Sequence, residues 1–257
     1  MIRAHGGGFA VNYPAADDVL TRHLADQVNC IVVSIDYSKA PQNKFPAAYE
    51  DAIAQSLAVI DDAELPIDQS KVVLCGSSAG GNLLFGAAQD SRLRSKILGV
   101  VSIYSIDEFG SNSDAKMATR PNSLVPDFIG KSLSTIQELY VGDAQMEDVR
   151  LSPTFFAMRE SLPSEISLMG AEHDTFCGEL EVMVDKLVGD RAKVSCKEGW
   201  KAKGVQYYKM YGQPHAFEGF PVKDTEAEKA RVTATDAMFD SISEWFIDIF
   251  SRANVAA

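Results

Sequence analysis

The chain has 257 residues, 46% of them hydrophobic, enough to bury a large core within one domain, and no linker divides it. Its 24 Lys and Arg against 36 Asp and Glu give a formal charge of −12, which argues against nucleic acid or an anionic membrane as a partner. No apolar run could cross a bilayer, no secretory leader opens the chain, and the four scattered cysteines lack zinc or redox spacing, so a cytoplasmic protein without a transmembrane segment is expected.

The first signal in chain order is His5-Gly6-Gly7-Gly8. Three glycines give nothing to pack and cost folding entropy, so they mark a flexible turn or backbone that lies close to a ligand. A helical stretch carrying His23 follows, then the apolar, β-branched run "NCIVVSIDY" (29–37), short enough to be a buried strand. "AAYEDAIAQSLAVIDD" (47–62) has helical character, and "KVVLCG" (71–76) is the next strand.

That strand runs straight into "GSSAGGN" and a helix over 79–93. Gly76-Ser77-Ser78-Ala79-Gly80 satisfies G-x-S-x-G in a strand–turn–helix setting, and only Ser78 fits the register, because a Ser77 centre would need glycine where Cys75 and Ala79 stand. Glycine-rich turns of this kind also bind phosphate or simply turn. The triple glycine shifts the balance. Bare backbone N–H groups at Gly6 and Gly7, together with that of Ala79 after the serine, are what an oxyanion hole requires.

Further on, "ILGVVSIYS" (97–105), "EISLMG" (165–170) and "VQYYKMYG" (205–212) read as strands, with helices over 178–188 and 225–250. The alternation predicts an α/β fold: a mostly parallel central sheet with helices on both faces. Residues 106–160 break the rhythm and read as an insertion above the sheet, with a helix near "SLSTIQELY".

Taken in order, "HGGGF", "DYSKAPQNKFPAAYED", "GSSAGGN", "LSPTFFAMRESLP", "AEHDTF" and "GQPHAF" resemble the hormone-sensitive-lipase-like branch of the α/β-hydrolases, from residue 5 almost to the end. The resemblance implies a single domain over 1–257 with 106–160 as a cap, a serine carboxylic-ester hydrolase acting on small, largely apolar esters, and neither metal nor organic cofactor. Two positions depart from the family: Ser77 stands where Asp is common, and Gln42 replaces an acid.

On this pattern His215, in "YGQPHAF" beyond the last strand, is the expected base, while His5 belongs to the glycine loop, His23 to a helix, and His173 precedes the acid. Asp174 matches the acid turn, with Glu172 as fallback and Glu179 as a competitor; Ser78, Asp174, His215 is the chain order of the fold. The rate is expected to rise as His215 becomes neutral, near its ordinary pKa of about 6.5. An amidase or lactonase would use the same residues, and a small-molecule-binding relative without catalysis is the reading from another class. Because only "MIRA" precedes the glycine loop, the two leading strands of the fold are expected to be lacking. The strand at 29–37 then becomes a sheet edge that invites a homodimer or aggregation.

Overall fold

The structure, a computed structural model, describes all residues except 122–124, 157, 190–193, 197–198, 203 and 257. Its strands are β1 (Ile2–Ala4), β2 (Val33–Ile35), β3 (Val73–Ser77), β4 (Gly99–Ile103), β5 (Glu165–Ala171), β6 (Val194–Cys196), β7 (Gly199–Ala202) and β8 (Val205–Met210). They form one sheet in the order β2-β1-β3-β4-β5-β8-β7-β6, parallel from β2 to β8 and antiparallel at the β8-β7-β6 end. The α/β expectation is met, with three strands that the sequence reading did not identify: β1, β6 and β7. The strand foreseen at 29–37 shortens to β2 and lies at the edge, paired only with β1 among the described residues.

The helices are α1 (Asp18–Val28), α2 (Ala47–Asp61), α3 (Ala79–Ala87), α4 (Ser91–Arg94), α5 (Ser113–Ala118), α6 (Phe128–Ile136), α7 (Pro153–Phe156), α8 (Cys177–Val188) and α9 (Thr225–Ala256). Strand residues alternate between two cores, as a pleat requires. Leu74, Val100, Ile166 and Leu168 face the core built with α2, α3 and α8. Val73, Cys75, Val101, Met169 and Ala171 face Leu20 and Leu24 of α1 and the stripe Met238, Phe239, Ile242, Trp245, Phe246 and Ile249 of α9. With both faces covered, the central strands can be continuous apolar runs.

The segment 106–160 contributes α5, α6, a π-helical turn over Gln137–Val141, and α7. It is not a detached lobe: Ile106, Phe109, Ile129, Leu133, Tyr140 and Leu151 join the first core. Asn82 of α3 adds a polar tie, its Nδ2 donating to the carbonyls of Ile106 (2.7 Å) and Leu151 (2.8 Å). Residues 122–124 of the expected insertion, Ala157 of the "LSPTFFAMRESLP" block and the Cys196 side chain lie outside what the structure describes.

Candidate active site

Strand β3 ends at Ser77, α3 begins at Ala79, and Ser78 makes the turn between them with φ 51° and ψ −121°. A non-glycine residue pays for this backbone, and here the surroundings hold it there. The Ser78 N–H donates to the Ile103 carbonyl of β4 (2.9 Å), and its carbonyl accepts from the Asn82 N–H (3.1 Å). The flanking glycine is a packing requirement: a Cβ on Gly80 would lie 2.3 Å from the Ala4 carbonyl oxygen. Any side chain at that position would push β1 and the turn apart.

The glycine loop follows β1 directly, so the short strand delivers it to the end of β3. A Cβ on Gly6 would lie 3.3 Å from the Ser78 Cβ, which places this backbone against the serine. Gly7 has φ 135°, a conformation that side chains rarely adopt, and a Cβ there would meet the Val11 carbonyl oxygen at 2.3 Å. His5 is buried beneath the loop and stacks on Tyr37 at 4.6 Å, while the Tyr37 hydroxyl donates to the His5 carbonyl (2.9 Å). Burial lowers the His5 pKa below 6.5, as befits a neutral structural ring. Ala79 is buried at the first position of α3, where helix N–H groups have no intrahelical acceptor.

The structure brings Ser78, Asp174 and His215 together from three separate turns. Ser78 Oγ donates to His215 Nε2 at 3.0 Å, and His215 Nδ1 donates to Asp174 Oδ2 at 2.7 Å. Asp174 and His215 are almost fully buried, and Ser78 is only slightly exposed. The Phe176 N–H donates to Asp174 Oδ1 at 2.9 Å, fixing the second carboxylate oxygen. Burial acts to lower the His215 pKa, but the charge and hydrogen bond of Asp174, with smaller pushes from Asp127 and Glu218, outweigh it and hold the value above 6.5. The other candidates lie elsewhere. Glu172 accepts from the Gly212 N–H (2.8 Å), Glu179 pairs with Lys116, and His23 packs on Phe239 of α9.

Around the three residues lies a cavity of about 550 Å³, walled by apolar side chains that include Val11, Ile129, Ile136, Leu139 and Phe220. Sequence reasoning missed Tyr104, Asp17 and Glu218 in its lining, and Arg3 behind it. The Tyr104 ring stands edge-on to His215 at 4.9 Å, and its hydroxyl donates to Glu218. Arg3, 1% exposed, donates to Asp17 Oδ2 and Ser77 Oγ, both at 2.6 Å, and to Cys75 Sγ at 3.3 Å. The departure at Ser77 thus has a partner. A hydroxyl beside the nucleophile accepts from a buried guanidinium, whose charge Asp17 balances.

A mostly parallel sheet with a serine at a strand-to-helix elbow, a carboxylate after a later strand and a histidine after the last parallel one defines the α/β-hydrolase class. The chain belongs to the alpha/beta hydrolase fold family, whose pattern matches residues 1–217. An arylesterase of Saccharolobus solfataricus is 37% identical over 98 residues, covering 37% of this chain and 32% of the relative. The versiconal hemiacetal acetate esterase of Aspergillus parasiticus is 34% identical over 105 residues, covering 40% and 32%. An esterase of Pyrobaculum calidifontis superposes with a TM-score of 0.78 at 26% identity, covering 96% of this chain and 75% of its own. The matches span about a third of the length of these curated relatives. The resemblance to hormone-sensitive-lipase-like esterases, carried in the sequence by separate motifs, is borne out.

Proposed function

We propose that the chain is a serine hydrolase that cleaves carboxylic esters of small, largely apolar substrates through an acyl-enzyme. The observation that carries this reading is the unbroken hydrogen-bond chain Ser78–His215–Asp174, buried at the floor of an apolar cavity. Ser78 attacks the ester carbonyl while His215 takes its proton, and Asp174 holds the imidazole in the tautomer that presents a bare Nε2. The N–H groups of Gly6, Gly7 and Ala79 stabilise the oxyanion, where loss of a single donor typically costs about 3 kcal/mol. His215 then protonates the leaving alcohol and activates the water that releases the acid. No step calls on a metal or an organic cofactor.

In this reading residues 1–257 act as one catalytic domain, with 106–160 as the cap, because α6 supplies part of the pocket wall. Among the described residues no helix is long and apolar enough to cross a membrane. A cytoplasmic setting is part of the proposal, supported by the free thiols of Cys30, Cys75 and Cys177. So is a homodimer joined at β2, and the acidic surface offers no footing for nucleic acid.

A fluorophosphonate probe tests the reading, since it needs a serine activated by a neighbouring base. Labelling is expected at Ser78, absent in Ser78→Ala and nearly lost in His215→Ala, while His23→Ala changes it little. Labelling that persists in Ser78→Ala, or equal losses for both histidine variants, would overturn the assignment.

A further inference from the structure

The turn that carries Asp174 is fastened to the helix that walls the cavity. Asp127, its side chain fully buried, is the N-cap of α6 and uses its two oxygens for different tasks. Oδ1 accepts from the Ile129 N–H at 2.9 Å and the Gly130 N–H at 3.4 Å, closing the open end of the helix. Oδ2 accepts from the Thr175 N–H at 2.8 Å and also from the Thr175 hydroxyl, taking both donors of the residue next to Asp174. Arg120 adds a second tie from the same segment. Its Nε donates to the His173 carbonyl at 2.7 Å and lies 3.7 Å from Asp127 Oδ2. The seam leaves no slack, since a Cβ on Gly130 would lie 2.3 Å from Met117 Sδ and 2.7 Å from Thr175 Oγ1. On the same helix, Ile129, Ser132 and Ile136 line the cavity.

We infer that Asp127 is a positioning residue for Asp174: it locks the acid-bearing turn to the pocket helix, so that the geometry of His215 depends on a residue outside the three that react. The inference rests on the proposed ester hydrolysis. A carboxylate suits the role because the Thr175 N–H and hydroxyl both need an acceptor in a site closed to water, where an unmet donor is costly. Its charge also reaches His215. Among the described residues, the groups that act on that imidazole include the carboxylates of Asp174, Asp127 and Glu218, the rings of Tyr104 and Phe176, and the Ser78 hydroxyl. Arg120 offsets part of the Asp127 charge.

Asp127→Asn separates the two tasks. Asn is as good an N-cap as Asp, so α6 keeps its closure, but the new amide turns N–H donors toward those of Thr175. The expected result is a kcat lower by on the order of tenfold per labelled active site, since small misplacements of a catalytic group are that costly. KM for a short ester is expected to stay within about twofold, because the pocket wall is retained. The acid limb of kcat/KM moves to lower pH, as His215 loses one of the negative charges that raise it. Thr175→Ser, which keeps both donors, is expected to match the parent, whereas Thr175→Val loses the hydroxyl bond and falls between the parent and Asp127→Asn. The Thr175 pair decides the matter if Asp127→Asn does not fold. A parent that turns over while Asp127→Asn keeps its kcat and its pH limb, or a Thr175→Val equal to Thr175→Ser, overturns the inference alone. A parent inert to both ester and fluorophosphonate overturns the hydrolase reading, and the inference falls with it.

Discussion

His215 illustrates how one side chain's surroundings set a measurable property. Burial disfavours the imidazolium, while the Asp174 carboxylate at 2.7 Å favours it, and the carboxylates win. The sign matters for the reaction. A base must be neutral to accept the Ser78 proton, so a raised pKa shifts the onset of activity toward higher pH. The acid limb of kcat/KM for a neutral aryl ester is therefore expected to have its midpoint above 6.5, not at the ordinary value that the sequence alone suggests. His5 acts in the opposite sense, lowered by burial and held under Tyr37, so it adds no second limb in the same range. A limb centred below 6.5 would mean that desolvation outweighs Asp174. A midpoint unchanged in a His5→Asn variant that still folds would separate the two histidines.

At the scale of elements, the long signals were legible and the short ones were not. A run such as "ILGVVSIYS" announces a strand because both faces of β4 are covered, and G-x-S-x-G announces its elbow because the turn tolerates few residues. Strand β1 is three residues long and contains Arg3, whose charge argues against burial. It lies inside the sheet, one strand in from the β2 edge, where Cys75 accepts from one terminal guanidinium nitrogen and Asp17 and Ser77 from the other, and these partners lie 14 to 74 residues away in the chain. Asp127 was invisible for the same reason, since its partner Thr175 is 48 residues away. β2 carries its own prediction. Among the described residues it pairs on one side only, and Ile31 beside it is 42% exposed. Open, apolar, uncharged edges pair with other chains, and a lysine placed on them prevents this. Sedimentation at several concentrations is expected to show association that Ile31→Lys reverses. A parent that stays monomeric throughout, or an Ile31→Lys variant that associates equally, would rule out β2 as the joining edge.

Across the whole molecule, the acidic balance and the pocket point the same way. The chain carries a formal charge of −12, and the cavity wall includes the carboxylates of Asp17 and Glu218 but no Lys or Arg among the described lining residues. Arg3, which binds the lining residues Asp17 and Ser77, is 1% exposed, so an incoming substrate cannot use it. Burial raises the Glu218 pKa above the usual glutamate value, although Tyr104 donates to one of its oxygens, so the group gains its charge at a higher pH than an ordinary glutamate. A second negative charge about 8 Å from such a carboxylate costs roughly 2 kcal/mol at an effective dielectric of about 20, more than a tenfold change in rate. Esters bearing a carboxylate are therefore expected to be poor substrates beside neutral ones of the same length. A 4-nitrophenyl butyrate and the 4-nitrophenyl half-ester of succinic acid make the comparison, since both release the same phenol. At alkaline pH and low salt the neutral ester is expected to show a kcat/KM at least tenfold higher, and the gap should narrow as salt screens the approach of the anion. Glu218→Gln is expected to narrow it further by improving the anionic ester alone. Equal kcat/KM for the two esters, or a gap that neither salt nor Glu218→Gln changes, would show that shape and not charge governs entry.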